Sequence, residues 1–127
     1  MIPDFITRQY VRENPDKIFV FGDNLEERGF GGQAREFRGE FNSVGIPTKR
    51  SPSMSESSFF SDKDFDELKP ILDEKFFIIE VWKRTGLTVV VPKNGIGTGL
   101  AELDKGAPRI FSYIKSNLDG IQKEMNP

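Results

Sequence analysis

The spacing of apolar and polar positions changes several times along this 127-residue chain, and each change predicts an element. In residues 4–13, Phe5, Tyr10 and Val11 stand among polar neighbours, the pattern of a short helix capped by Asp4 or Thr7. Asn14-Pro15-Asp16 ends it. Residues 17–21, KIFVF, are an unbroken apolar run and predict a buried strand, which Gly22-Asp23-Asn24 is expected to break. Residues 32–38 predict a short helix ended by Gly39, and residues 44–48 a second strand closed by the loop TKRSP. Residues 51–61 hold six serines and little periodicity apart from Phe59-Phe60, the pattern of a loop.

From residue 64 to 84, Phe65, Leu68, Leu72, Phe76, Ile79 and Trp82 recur at three- and four-residue spacing, as a helix packed on a sheet requires. Pro70 conflicts with one unbroken helix. The pattern therefore predicts a turn over residues 64–68, then a main helix with Pro70 in its first turn and Gly86 as its cap. Residues 87–91 predict a third strand. Residues 107–118 predict the last helix, with Pro108 in its first turn and Ile110, Phe111, Ile114 and Leu118 on one face.

This alternation argues for a single α/β domain over residues 1–127, a three-layer fold with a mixed or mostly parallel sheet flanked by helices. Ligands of such folds bind at the carboxyl ends of strands. Ten of the twelve glycines lie in residues 22–45 or 95–106. Residues 22–32 and 95–99 both follow predicted strands, so both loops are expected at one edge of the sheet.

Composition narrows the chemistry. There is no cysteine, hence no disulfide or thiolate. There is no histidine, which removes Ser-His-Asp and Cys-His catalysis, the common zinc ligand sets and imidazole acid–base work. No metal or other cofactor is expected. The net charge of −2 does not suit a broad nucleic-acid surface. No apolar run reaches the ~20 residues of a membrane span, and the first residues lack the pattern of a signal peptide, so a cytoplasmic protein is expected.

The candidate site is the pair of glycine loops. In VVVPKNGIGTGLAEL a β-branched run empties into Lys93, Asn94, Gly95, Ile96, Gly97, Thr98, Gly99 and Leu100 before a helix-like segment. Alternating glycines let backbone N–H groups approach and cradle a phosphate, although a tight strand-to-helix turn needs no ligand. The spacing is neither the dinucleotide G-x-G-x-x-G nor a P-loop, which would end in Gly-Lys-Ser/Thr. In GDNLEERGFGGQA, Gly22, Asp23, Asn24, Gly31, Gly32 and Gln33 offer a second contact region. Asn24 can hydrogen-bond a sugar hydroxyl or act with Asp23 as a turn pair. Lys49, Arg50 and Lys93 follow strands and could offset phosphate charge, or stand as ordinary surface cations. Glu102 and Asp104 could serve as a base or bind a ribose hydroxyl, or simply favour a helix N-terminus. Phe30 and Phe111 could stack on a base or belong to the core.

At these loops the sequence resembles a macrodomain, the ADP-ribose-binding α/β module. IFVFGDN followed by GFGGQAREFRG, and VVVPKNGIGTGLAEL, are similar to its two loops. The chain also resembles uncharacterised small proteins of bacteria and their phages that share VFGDN, GIPTKR and GIGTGLAEL. The macrodomain resemblance implies a trimmed version of a mixed six-stranded sheet. It implies that residues 95–99 hold a diphosphate and distal ribose, flanked by Asn24, Gly31 and Gly32. It also implies a small-molecule ligand of ADP-ribose type, free or on an ADP-ribosylated protein. Hydrolysis of an ADP-ribose derivative, a 1″-phosphate or a protein-linked ester, would then involve Asn24, Asp23 and Glu102. Some hydrolases of the branch with the most similar late loop carry an aspartate where this chain has Ala101. That departure favours a non-catalytic reader or sequestering module. A protein- or nucleic-acid-interaction module using TKRSPS is a third possibility.

Overall fold

A computed structural model describes residues 2–3, 5–32, 34–93, 95–99 and 101–123. The elements in order are α1 (Arg8–Glu13), β1 (Lys17–Asn24), α2 (Ala34–Phe37), β2 (Ser43–Lys49), α3 (Phe65–Arg84), β3 (Thr88–Val90), α4 (Leu103–Gly106) and α5 (Pro108–Lys123). Two 3₁₀ turns, Glu56–Ser58 and Asp62–Asp64, lie between β2 and α3.

The α/β class holds, with three parallel strands in the order β2-β1-β3. Alternation along β1 decides the layers. Ile18 and Val20 point to one face and pack with Leu68, Leu72, Phe76 and Ile79 of α3 and Ile110, Ile114 and Leu118 of α5. Phe19 and Phe21 point to the other and pack with Val11 of α1 and with Ala34 and Phe37 of α2. The chain moves from β1 out to β2 and then back across β1 to β3. Right-handed crossovers in opposite directions put their helices on opposite faces, which is where α2 and α3 lie.

Three expectations need correction. Gly22-Asp23-Asn24 does not break β1: pairing with β2 runs to Asn24↔Lys49, with a register shift between Asp23 and Asn24. Backbone pairing outweighs the poor strand propensity of these residues. Second, α3 is one helix straight through Pro70. The turn expected at residues 64–68 lies earlier, at Asp62–Asp64, where Ser61 and Asp64 form a capping box. Third, α5 extends beyond Leu118 to Lys123. Thr7 is the cap of α1, accepting from the Tyr10 amide at 3.1 Å, while Asp4 lies outside the described residues.

Pro70 is solvent-exposed, and its ring nitrogen cannot donate to the carbonyl four residues earlier. Pro70→Ala should therefore raise stability by about 1–3 kcal/mol. Urea unfolding checks this, and an unchanged or lower midpoint would contradict it.

Candidate functional site

The sheet order reverses direction at β1, and the carboxyl ends of the three strands open there onto a cleft of about 300 Å³. This is the place where open α/β sheets bind ligands. Both glycine loops line it. Residues 22–32 contribute Gly22, Asp23, Asn24, Arg28, Gly29, Gly31 and Gly32. The later loop contributes Gly95, Gly97, Thr98, Gly99 and Ala101, and the end of β2 adds Thr48, Lys49, Ser51 and Pro52.

The backbone around the cleft is unusual. Gly29, Gly32, Gly95 and Gly97 have φ of 93°, 57°, 81° and 93°. Among the described residues two non-glycines also take left-handed φ: Glu27 at 53° and Glu102 at 46°, one in each glycine-rich region. Such conformations cost about 1–3 kcal/mol each and collect at ligand clamps. Gly97 has a second constraint, since a Cβ there would meet Leu103 at 3.0 Å. Gly99 has neither constraint: its φ is not left-handed and nothing lies within 4 Å of its Cβ position. The amides of Gly97, Gly99 and Ala101 make no hydrogen bond among the described residues. Gly99 is exposed and Gly97 and Ala101 are half-exposed, so these amides are open to solvent or to a ligand.

The first loop is held by Arg38, which sequence reasoning did not single out. Its guanidinium donates to Asp23 Oδ1 at 2.5 Å and Oδ2 at 3.2 Å. It also donates to the carbonyls of Gly29 at 2.7 Å and Arg28 at 3.2 Å. The side chains are 15% and 6% exposed, so this is a nearly buried ion pair. Asp23 also accepts from the Asn24 amide at 2.8 Å. Gly45 on β2 makes room, because a Cβ there would strike Asp23 Oδ2 at 2.6 Å.

Asp23 is therefore committed to a cation and is not a free general base. Asn24 is buried; its Oδ1 accepts from the Glu26 amide at 3.0 Å and its Nδ2 donates to the Arg28 carbonyl at 2.8 Å. One N–H and one lone pair of that amide remain for a ligand. Glu102 is exposed, occupies the N-cap position of α4 and does not line the cleft, so the structure does not bring it to Asp23 and Asn24. Ile96 is a core side chain that anchors the later loop between its glycines. Lys93 is exposed and lies with Ile96 and Phe111 along a separate groove against α5. Arg50 is neutralised by Asp64 at 2.6 Å and Glu67 at 3.1 Å, which hold its protonation far above the usual range. Asp104 and Phe30 do not line the cleft either, and the Phe30 ring is exposed. Gln33, Asn94 and Leu100 lie outside the described residues.

Lys49 differs from these cations. It is only 7% exposed and lines the cleft. Its Nζ donates to the Ser53 carbonyl at 2.8 Å and to Met54 Sδ at 3.4 Å, and lies 4.7 Å from the centre of the Phe59 ring. Burial lowers its pKa from the ordinary lysine value, and no carboxylate opposes that effect. Among the described residues no group of three or more acidic side chains could hold a metal ion, and no helix is long and apolar enough to cross a membrane.

A family model covers almost all of this architecture, matching residues 1–117. The chain belongs to a family of unknown function (DUF7831). The DUF7831 match includes β1 to β3, both glycine loops and Arg38 and Lys49. No curated protein and no solved structure matches the chain.

Arg38→Ala would leave Asp23 buried and unpaired, and should lower stability by about 3 kcal/mol or more. The double variant Asp23→Asn with Arg38→Met should recover most of that loss, because no charge is left buried. Denaturant unfolding of the three proteins measures this; a double variant no better than Arg38→Ala would contradict it.

Proposed function

We infer that this protein binds a nucleotide of ADP-ribose type in the cleft at the strand ends, as a macrodomain-like module, and that it binds rather than hydrolyses its ligand. The observation that carries the reading is the convergence of two glycine loops on one cleft that also presents unpaired amides and the Lys49 ammonium. The amides of Gly97, Gly99 and Ala101 suit the equatorial oxygens of a diphosphate. The remaining N–H and lone pair of Asn24 suit a ribose hydroxyl. The volume lies at the lower end of the range for small-molecule sites, so part of the ligand stays exposed to solvent.

Binding is favoured over hydrolysis by the state of the carboxylates. A general base must reach the proton it removes. Asp23 is paired with Arg38, Glu102 is outside the cleft, and Ala101 supplies no carboxylate. On this reading the partner is a free ADP-ribose-like molecule or a protein carrying one, and the protein acts as a reader or a sequestering module.

Gly99→Glu would place a carboxylate among the phosphate-facing amides without backbone strain. Titration calorimetry should show ADP-ribose binding to the unmodified protein, weakened roughly a hundredfold or more in Gly99→Glu by like-charge repulsion. No heat with folded protein at millimolar ADP-ribose would overturn the reading, as would unchanged affinity in the variant.

A further inference from the structure

The outer face of α3 carries a regular stripe. Pro70, Glu74, Phe77, Val81 and Arg84 are all exposed, and their spacing alternates between four and three residues. That is the spacing of a helix seam that packs on another helix. The opposite side of α3 faces the core through Leu68, Leu72, Phe76 and Ile79, so the stripe is a second seam. Among the described residues, the large apolar side chains exposed on a helix are Phe77, at 66%, and Val81, at 44%. Beside Phe77 a groove of about 450 Å³ runs between α3 and α5, over buried Phe76 and Ile121. None of these residues lines the cleft at the strand ends.

The charges on the stripe point to its occupant. Glu74 lies one seam position before Phe77, and Arg84 one after Val81. Neither forms an ion pair among the described residues, although Glu67, Lys69, Asp73 and Lys75 of the same helix all do. Consider two antiparallel α3 helices related by a twofold axis midway between Phe77 and Val81. Phe77 then faces the partner's Val81, and Glu74 faces the partner's Arg84, each contact occurring twice. A parallel pair sets Glu74 against Glu74 and Arg84 against Arg84. A shift of one heptad in the antiparallel pair sets Phe77 against Glu74, or Val81 against Arg84. The stripe is therefore complementary to itself in one register.

We propose that this face of α3 is the interface of a symmetric homodimer, in which two copies of the chain pair antiparallel through Phe77 and Val81, in a register set by Glu74 and the partner's Arg84. Phe77 supplies the aromatic anchor. Exposed ion pairs add little affinity, whereas like charges held face to face are strongly unfavourable, so the charges select orientation and register. The seam from Pro70 to Arg84 is short, about 21 Å of helix, so the pairing is reversible and depends on protein concentration.

Sedimentation equilibrium of the full chain tests this. The unmodified protein should show a monomer–dimer equilibrium as its concentration rises from micromolar to millimolar. Phe77→Glu should weaken dimerisation roughly a hundredfold or more. Glu74→Arg and Arg84→Glu should each weaken it about tenfold or more, because each sets like charges opposite one another twice. An equimolar mixture of those two variants should recover dimers, because a chain with two basic seam residues then meets a chain with two acidic ones. Thermal unfolding of each variant shows that the fold is kept, as expected for exposed positions. A monomer at every concentration leaves the face to a different partner and overturns the proposal. So does a dimer that persists in Phe77→Glu, or a pair of charge variants that fail to recover each other on mixing.

Discussion

The fold depends on the burial of β1 from both sides. Ile18 and Val20 need one apolar layer, Phe19 and Phe21 need another, and both strand edges need backbone partners. A strand with such demands can only be central. Its neighbours are then reached by crossovers running in opposite directions, which leaves an opening between the returning loops at the carboxyl ends. The cleft is thus a consequence of how β1 is buried. The glycine loops occupy it because they follow β1 and β3.

Extending β1 through Gly22-Asp23-Asn24 places a carboxylate where the alternation of Phe19 and Phe21 would next bury a side chain. Arg38 answers that constraint, and Gly45 leaves the space for it. The same guanidinium holds the carbonyls of Arg28 and Gly29, so neutralising Asp23 and shaping the first loop are one interaction. Lys49, at the paired position opposite Asn24, is held without a carboxylate, by the Ser53 carbonyl, Met54 Sδ and the face of Phe59.

Much of the architecture was legible because the periods differ sharply: KIFVF and TVV against the three- and four-residue spacing of α3 and α5. The misreadings have physical causes. Gly, Asp and Asn are poor strand formers in isolation, but the ladder with β2 outweighs propensity. Pro70 sits inside α3 because the apolar face of that helix, buried at Leu68 and Leu72 on either side of it, offsets one missing hydrogen bond. Both glycine loops are legible in composition, since left-handed backbone favours glycine. Arg38 was not, because its partner lies fifteen residues away and AREFRGE reads as a polar surface. Alternation along β1 carried the missing signal, since a carboxylate on the Phe19–Phe21 face requires a cation. Ile96, a ligand contact by the loop pattern alone, is instead an anchor in the core, as suits an isoleucine between glycines in a loop.

The central claim is that both loops grip one ligand. Backbone amide chemical shifts, followed as ADP-ribose is added to the folded protein, test it most directly. The account predicts concerted, saturable shifts at Gly29, Gly31 and Gly32 and at Gly95, Gly97 and Gly99, with little change along the groove formed by Phe111 and Leu118. Shifts confined to that groove, or to one loop alone, would contradict it.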